Sequence, residues 1–124
     1  MRTSAPALAA LLIAATTSLA EAQAQGNDCV VSATPATFGV NSTGFLEINS
    51  GEECNLYLRV SGAIESAKII QRPRNGSLSM SDLSSAVYKS KAGYRGVDEF
   101  AFQVSGNSQT GKGTSVIRIR ATVK

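Results

Sequence analysis

The stretch YKSKAGYRGVDEF, residues 88 to 100, carries the reading of the fold. A tyrosine and a phenylalanine bracket two glycines, a second tyrosine and an Asp-Glu pair, with neither cysteine nor histidine among them. Gly93 and Gly96 can take left-handed backbone conformations, where a Cβ would cost about 1 kcal/mol. Tyr94 can pack its ring beneath such a turn while its hydroxyl finds a backbone partner. Asp98 can accept backbone N–H bonds in the turn. Phe100 and Phe102 share one side of an extended strand and can plug a core. The segment therefore reads as a corner that carries the chain between strands of opposite sheets.

Outward from this corner the pattern is alternation at period two, broken by turn residues, with no amphipathic helical stretch. The strands expected are Cys29 to Thr34, Gly44 to Asn49, Cys54 to Val60, Ala67 to Gln71, Gly76 to Met80, Ala86 to Lys89, Glu99 to Ser105 and Thr114 to Val123. Three apolar rows should build the core: Cys54, Leu56, Leu58 and Val60; Phe100, Phe102 and Val104; and Ile117, Ile119, Ala121 and Val123. Their opposite sides carry Asn55, Tyr57 and Arg59, then Glu99 and Gln103, then Arg118, Arg120 and Thr122, as water-facing positions would. Asn75-Gly76 is a tight-turn candidate, and the glycine-rich run from Gly106 to Gly113 is expected to be the longest polar loop. The fold expected is an all-β, immunoglobulin-like antiparallel sandwich of about seven to eight strands.

The segment preceding these strands is of another kind. Met1 and Arg2 lead into the apolar run Ala5 to Ala15, followed by Ala20, Ala22 and Ala24 at small-residue spacing. Residues 1 to 24 are expected to be a secretory signal peptide, with the mature chain beginning at Gln25. The run is shorter than the roughly 18 residues a membrane span requires, so no span is expected. Residues 25 to 124 are expected to form one domain, periplasmic or secreted. Cys29 and Cys54 are the only cysteines, and in an oxidising compartment they are expected to pair.

"RPRNGSLSM", "AVYKSKAGYRGVDEFAFQVSG" and "SVIRIRATV", all from residue 72 onward, resemble the C-terminal half of bacterial immunoglobulin-like and cadherin-like repeat domains. The shared signature falls on Gly93, Tyr94, Gly96, Asp98, Phe100 and Phe102. The resemblance implies a structural corner leading into the last hairpin, and a role in binding or adhesion at the bacterial cell envelope. The chain departs from such repeats in carrying one copy and in having Ser105-Gly106-Asn107 where an acidic turn is common.

Composition narrows the chemistry. The chain has no histidine, which removes a Ser-His-Asp triad and the usual zinc sites. Glu52-Glu53 and Asp98-Glu99 are adjacent pairs whose side chains diverge on a strand, so no calcium site is expected. Neither a cofactor nor catalysis is expected. The net charge of +3 is mild, and no basic-aromatic stacking motif points to nucleic acid. Arg118 and Arg120 share a face at i and i+2 and are the candidate anion-binding pair. The function expected is a small exported, monomeric binding or adhesion module whose partner is a protein or an acidic polysaccharide of the envelope. The alternative is an assembly subunit that pairs through an exposed strand edge.

Overall fold

Residues 27–33 and 36–124 are described in a computed structural model of the chain. The expected signal peptide, residues 1–24, and Thr34 at the end of the first expected strand lie outside the described residues. Alternating sequence becomes alternating burial. Seven long strands are β4 (Ser42–Ile48), β5 (Glu53–Tyr57), β7 (Ala63–Gln71), β8 (Gly76–Asp82), β9 (Ser85–Ser90), β10 (Gly96–Ser108) and β11 (Gly111–Val123). Four two-residue strands accompany them: β1 (Asn27–Asp28), β2 (Val31–Ser32), β3 (Ala36–Thr37) and β6 (Val60–Ser61).

The long strands form two layers. One sheet has the order β1-β5-β9-β8, the other β2-β4-β11-β10-β7, and β3 pairs with β6 beside them. Neighbouring long strands run antiparallel except β4, which lies parallel to β11 from Ser42 opposite Ile117 to Ile48 opposite Val123. The chain is thus a β-sandwich in which one long-strand pairing and two short ones, β1 with β5 and β3 with β6, depart from the antiparallel expectation.

The inner faces meet through the rows that alternation marked out. Leu56 and Leu58 of the first row, all of Phe100, Phe102 and Val104, and all of Ile117, Ile119, Ala121 and Val123 are buried. Val60 is half-buried, because β5 ends at Tyr57 and the chain restarts as β6. The Tyr88 ring from one sheet stacks on Phe100 from the other at 4.8 Å between centroids, and Phe102 meets Phe100 edge-on at 5.9 Å. Each such side chain contributes about 1.5 to 3 kcal/mol by leaving water. Together they join the two layers.

Two turn expectations are corrected. The run Gly106 to Gly113 is not a loop: β10 continues to Ser108, β11 begins at Gly111, and Gly106 faces Gly113 across the ladder. These glycines leave room for the Ala63 backbone and for the Phe38-Gly39 segment, which cross close over them. A Cβ on Gly106 would stand 2.5 Å from the Phe38 ring, and one on Gly113 would stand 2.8 Å from the Gly39 nitrogen. At Asn75-Gly76 the chain does turn, but it crosses from one sheet to the other and closes no hairpin, since β7 and β8 belong to different sheets. Gly76 opens β8 where the Tyr88 ring lies over it, 2.9 Å from the place of a Cβ.

Candidate functional site

Three chain crossings between the sheets gather at one end of the sandwich: β4 to β5, β7 to β8 and β9 to β10. The last is the segment at residues 91–95. Gly93 and Gly96 have φ of 90° and 139°, conformations that side-chain-bearing residues avoid. The Tyr94 hydroxyl donates to the Val97 carbonyl at 2.7 Å, its ring half-buried against the core. A Cβ on Gly96 would sit 2.8 Å from that hydroxyl oxygen, so the glycine also makes room for the tyrosine.

Neighbouring crossings are stitched to this one. Ser50 accepts from the Gly93 N–H at 2.7 Å, and the Lys91 N–H donates to the Asn75 carbonyl at 2.9 Å. Ser90, fully buried, donates its hydroxyl to the Asn49 carbonyl at 2.9 Å. Asp98 is the centre of the arrangement. It is buried at the end of the Phe100 and Phe102 row, where one oxygen accepts the Arg74 and Asn75 N–H groups at 3.0 and 3.3 Å. Its other oxygen accepts the Tyr88 hydroxyl at 2.8 Å. Asp98 therefore satisfies a turn more than twenty residues away instead of its own. Burial, then the hydrogen bond to Asp98, pushes the Tyr88 phenol well above its ordinary value.

Tyr88 is the site residue that sequence reasoning left without a role. Its signal was its parity with Ala86 on the inward side of β9, since a buried tyrosine hydroxyl requires a partner. The buried polar side chains of this corner, Tyr88, Ser90 and Asp98, are all paired within the fold, so the corner is a structural fastening. Arg74, Lys91 and Arg95 are exposed around it.

The outer face of the five-stranded sheet is differently built. Arg118 and Arg120 stand side by side there, exposed, as i and i+2 on β11. Arg120 Nε lies 3.1 Å from a Glu99 carboxylate oxygen on β10, and Arg118 Nη1 donates to the Gln71 side-chain oxygen at 3.2 Å. On the other flank β4 places Phe45 opposite Arg120 and Glu47 opposite Thr122. Phe45 is 52% exposed, and Val97, opposite Thr122 on β10, is 46% exposed. Phe45, Arg120 and Glu99 thus form one row across three strands, with Val97 diagonal to it. Phe45 was legible as a large aromatic on the polar side of its strand, the side away from Leu46 and Ile48.

Cys29 and Cys54 are joined, their Cα atoms 4.9 Å apart, which ties the described start of the chain to β5. Of the expected acidic pairs, Asp98 points inward and Glu99 outward, while Glu52 and Glu53 are exposed. Among the described residues no group of three or more acidic, cysteine or histidine side chains is placed to hold a metal ion, and no helix is long and apolar enough to cross a membrane. No protein-family model and no curated protein matches the chain.

Proposed function

We propose that the chain is a small exported, non-catalytic, immunoglobulin-like binding module of the bacterial cell envelope, and that it contacts another protein through the outer face of its five-stranded sheet. The observation that carries this reading is the Phe45–Arg120–Glu99 row with Val97 beside it. Aromatic side chains and arginine are enriched where proteins meet, and an aromatic left half in water beside an exposed Arg-Glu pair costs solubility without serving the fold. The arginines here are shared with Glu99 and Gln71, which favours a mixed, protein-like partner over a bare polyanion. The disulfide supports an oxidising compartment, periplasmic or secreted.

Strand-edge assembly is the weaker reading. β7, one edge, carries two register irregularities against β10 together with Glu65 and Lys68, and β8, another, has one irregularity against β9. Irregularities and charges are how edges are kept from pairing.

A photo-crosslinking residue placed at Phe45, and separately at Ser79 on the opposite sheet, tests the proposal in envelope extracts. A discrete adduct from position 45, weakened by Arg120→Ala and absent from position 79, is expected. Equal labelling from both positions would remove the face from consideration. An adduct from position 79 alone would move the contact to the other sheet.

A further inference from the structure

The first described residues run across the open side of the sandwich. Asn27–Asp28 pairs parallel with Cys54 and Asn55 at the edge of the four-stranded sheet. Val31–Ser32 pairs antiparallel with Leu46 and Phe45 at the edge of the five-stranded one. Cys29 lies between these pairings, its N–H donating to the Asn55 carbonyl at 2.7 Å and its sulfur bonded to Cys54. One short strap therefore closes both edges over the seam between β4 and β5.

Away from the sulfur its hold is slight. Each pairing covers two residues, the side-chain hydrogen bond from the Tyr57 hydroxyl to Asp28 is 3.2 Å long and exposed, Val30 is 83% exposed, and Cys29 and Val31 are half-buried. Two clefts border the strap, one of about 550 Å³ that includes Glu47 and Glu53 in its lining, and one of about 400 Å³ lined by Leu56, Leu58, Gly44 and Ile119. From Ala36 onward the chain is anchored separately. Ala36 N–H donates to the Arg59 carbonyl at 3.1 Å, and Ser115 donates to the Thr37 carbonyl at 2.8 Å while accepting the Gly39 N–H at 3.0 Å. Phe38 is buried over the end of the β10–β11 hairpin. Segments with few buried contacts open at low free energy while their better-packed neighbours stay closed.

We propose that Asn27–Ala33 is a latched, exchangeable strap. With Cys29–Cys54 reduced it leaves the seam, and the seam of one chain accepts the strap of a second copy, Cys29 of one closing on Cys54 of the other. The features the seam recognises are those the strap carries. It presents a cysteine to Cys54, and Val31 and Ala33 cover Gly44, where a Cβ would stand 2.8 Å from Val31 Cγ1 and 3.3 Å from Ala33 Cβ. A second copy brings that same sequence in the same register, which is the basis of domain exchange.

The redox steps balance. A dithiol reductant supplies two electrons and two protons, Cys29 and Cys54 become thiols, and the dithiol closes to a cyclic disulfide. Oxidised glutathione then reverses this: one cysteine thiolate displaces a glutathione thiolate to give a mixed disulfide, and the second copy's cysteine displaces the other glutathione. Two thiols become one disulfide, and one oxidised glutathione becomes two reduced.

The test uses a mixture of isotope-labelled and unlabelled full chain, reduced without denaturant and reoxidised with glutathione at micromolar and millimolar protein. In the reduced state the backbone amides of Phe100, Phe102 and Ile119 are expected to stay protected from hydrogen exchange while that of Cys29, which donates to the Asn55 carbonyl, loses protection. At the higher concentration the share of disulfide-linked dimer should rise about tenfold or more, because exchange between copies scales with concentration and closure within one does not. Peptide mapping should find Cys29 of a labelled chain joined to Cys54 of an unlabelled one. Intramolecular Cys29–Cys54 at both concentrations would overturn the proposal, as would dimers joined Cys54 to Cys54. Loss of core amide protection on reduction would also overturn it, by showing that the sulfur holds the whole fold and not the strap.

Discussion

The corner at residues 88–100 and the strap at residues 27–33 both join the two sheets, and they do so by opposite means. The corner is held by distributed hydrogen bonds around buried Asp98 and Tyr88, with a tyrosine hydroxyl on a backbone carbonyl and two glycines that make the turn possible. The strap is held by one covalent bond, two brief pairings, the Cys29 N–H on the Asn55 carbonyl and the Tyr57 hydroxyl on the Asp28 carboxylate, beside open clefts. A well-packed polar network in a dry corner repays the cost of its burial bond by bond, each weak contact holding its neighbour in place. A strap laid along two sheet edges has neighbours on too few sides for that. Cross-linking then supplies what packing does not.

The largest expected effect falls on the corner. Asp98→Ala strands the Tyr88 hydroxyl and two turn amides and should cost about 4 kcal/mol of stability in urea unfolding, since each buried donor left alone costs about 1 to 3 kcal/mol. A cost below about 1 kcal/mol would mean that water replaces the carboxylate and the network is not the fastening described here.

Reduction of Cys29–Cys54 should follow, at no more than about 3.5 kcal/mol, the chain-entropy value for the enclosed loop. A strap that detaches regains freedom in the folded state, so the measured loss should fall short of that figure. A loss that exceeds it would erase the contrast between the two regions.

Tyr88→Phe keeps the ring stack on Phe100 but removes a hydrogen bond to a buried carboxylate, at about 2 kcal/mol. It should also change the response to alkali. The Tyr88 phenol titrates above its ordinary value in the folded chain. The folded state therefore holds a proton that the unfolded state gives up, and this stability is complete below about pH 10 and lost as pH rises beyond it. Melting temperatures measured upward from pH 9 should fall less steeply in Tyr88→Phe than in the natural chain. Identical slopes would place the alkaline response elsewhere.

Tyr94→Phe tests the exposed rim of the same corner and should cost about 1 kcal/mol, the net worth of one hydrogen bond to a carbonyl. The smallest effect belongs to the outer face, where Arg118→Ser with Arg120→Ser should change stability by less than about 0.5 kcal/mol, because exposed ion pairs contribute little. If that double substitution unfolded the chain, the face would belong with the corner as structure.

Much of the corner was legible because its signals are local. Glycine at positive φ, a tyrosine two residues before a glycine and apolar residues at period two all act within a few residues of themselves. The destination of Asp98 was not legible, since the amides it receives belong to Arg74 and Asn75 on another crossing. Gly106 and Gly113 misled for a related reason. Glycine serves a loop that needs freedom and a ladder that needs space, and only the close approach of Ala63 and the Phe38-Gly39 segment distinguishes them. Arg118 and Arg120 were placed on one face correctly by parity alone, but their partners Gln71 and Glu99 depended on which strands flank β11.

By itself the sequence determined the all-β class, the inward rows of the strands that carry Leu56, Phe100 and Ile117, and the candidate disulfide. Side-chain alternation is a property of the extended backbone, and two cysteines allow a single intramolecular pairing. The tertiary structure alone decided that β4 runs parallel to β11, that Asp98 fastens a distant turn to Tyr88, that Phe45 joins Arg120 and Glu99 in one row, and that a short strap closes the seam between β4 and β5. Each of these is set by strand order and register. Those are fixed when the two sheets pack together, where a one-residue slip turns every inward side chain outward.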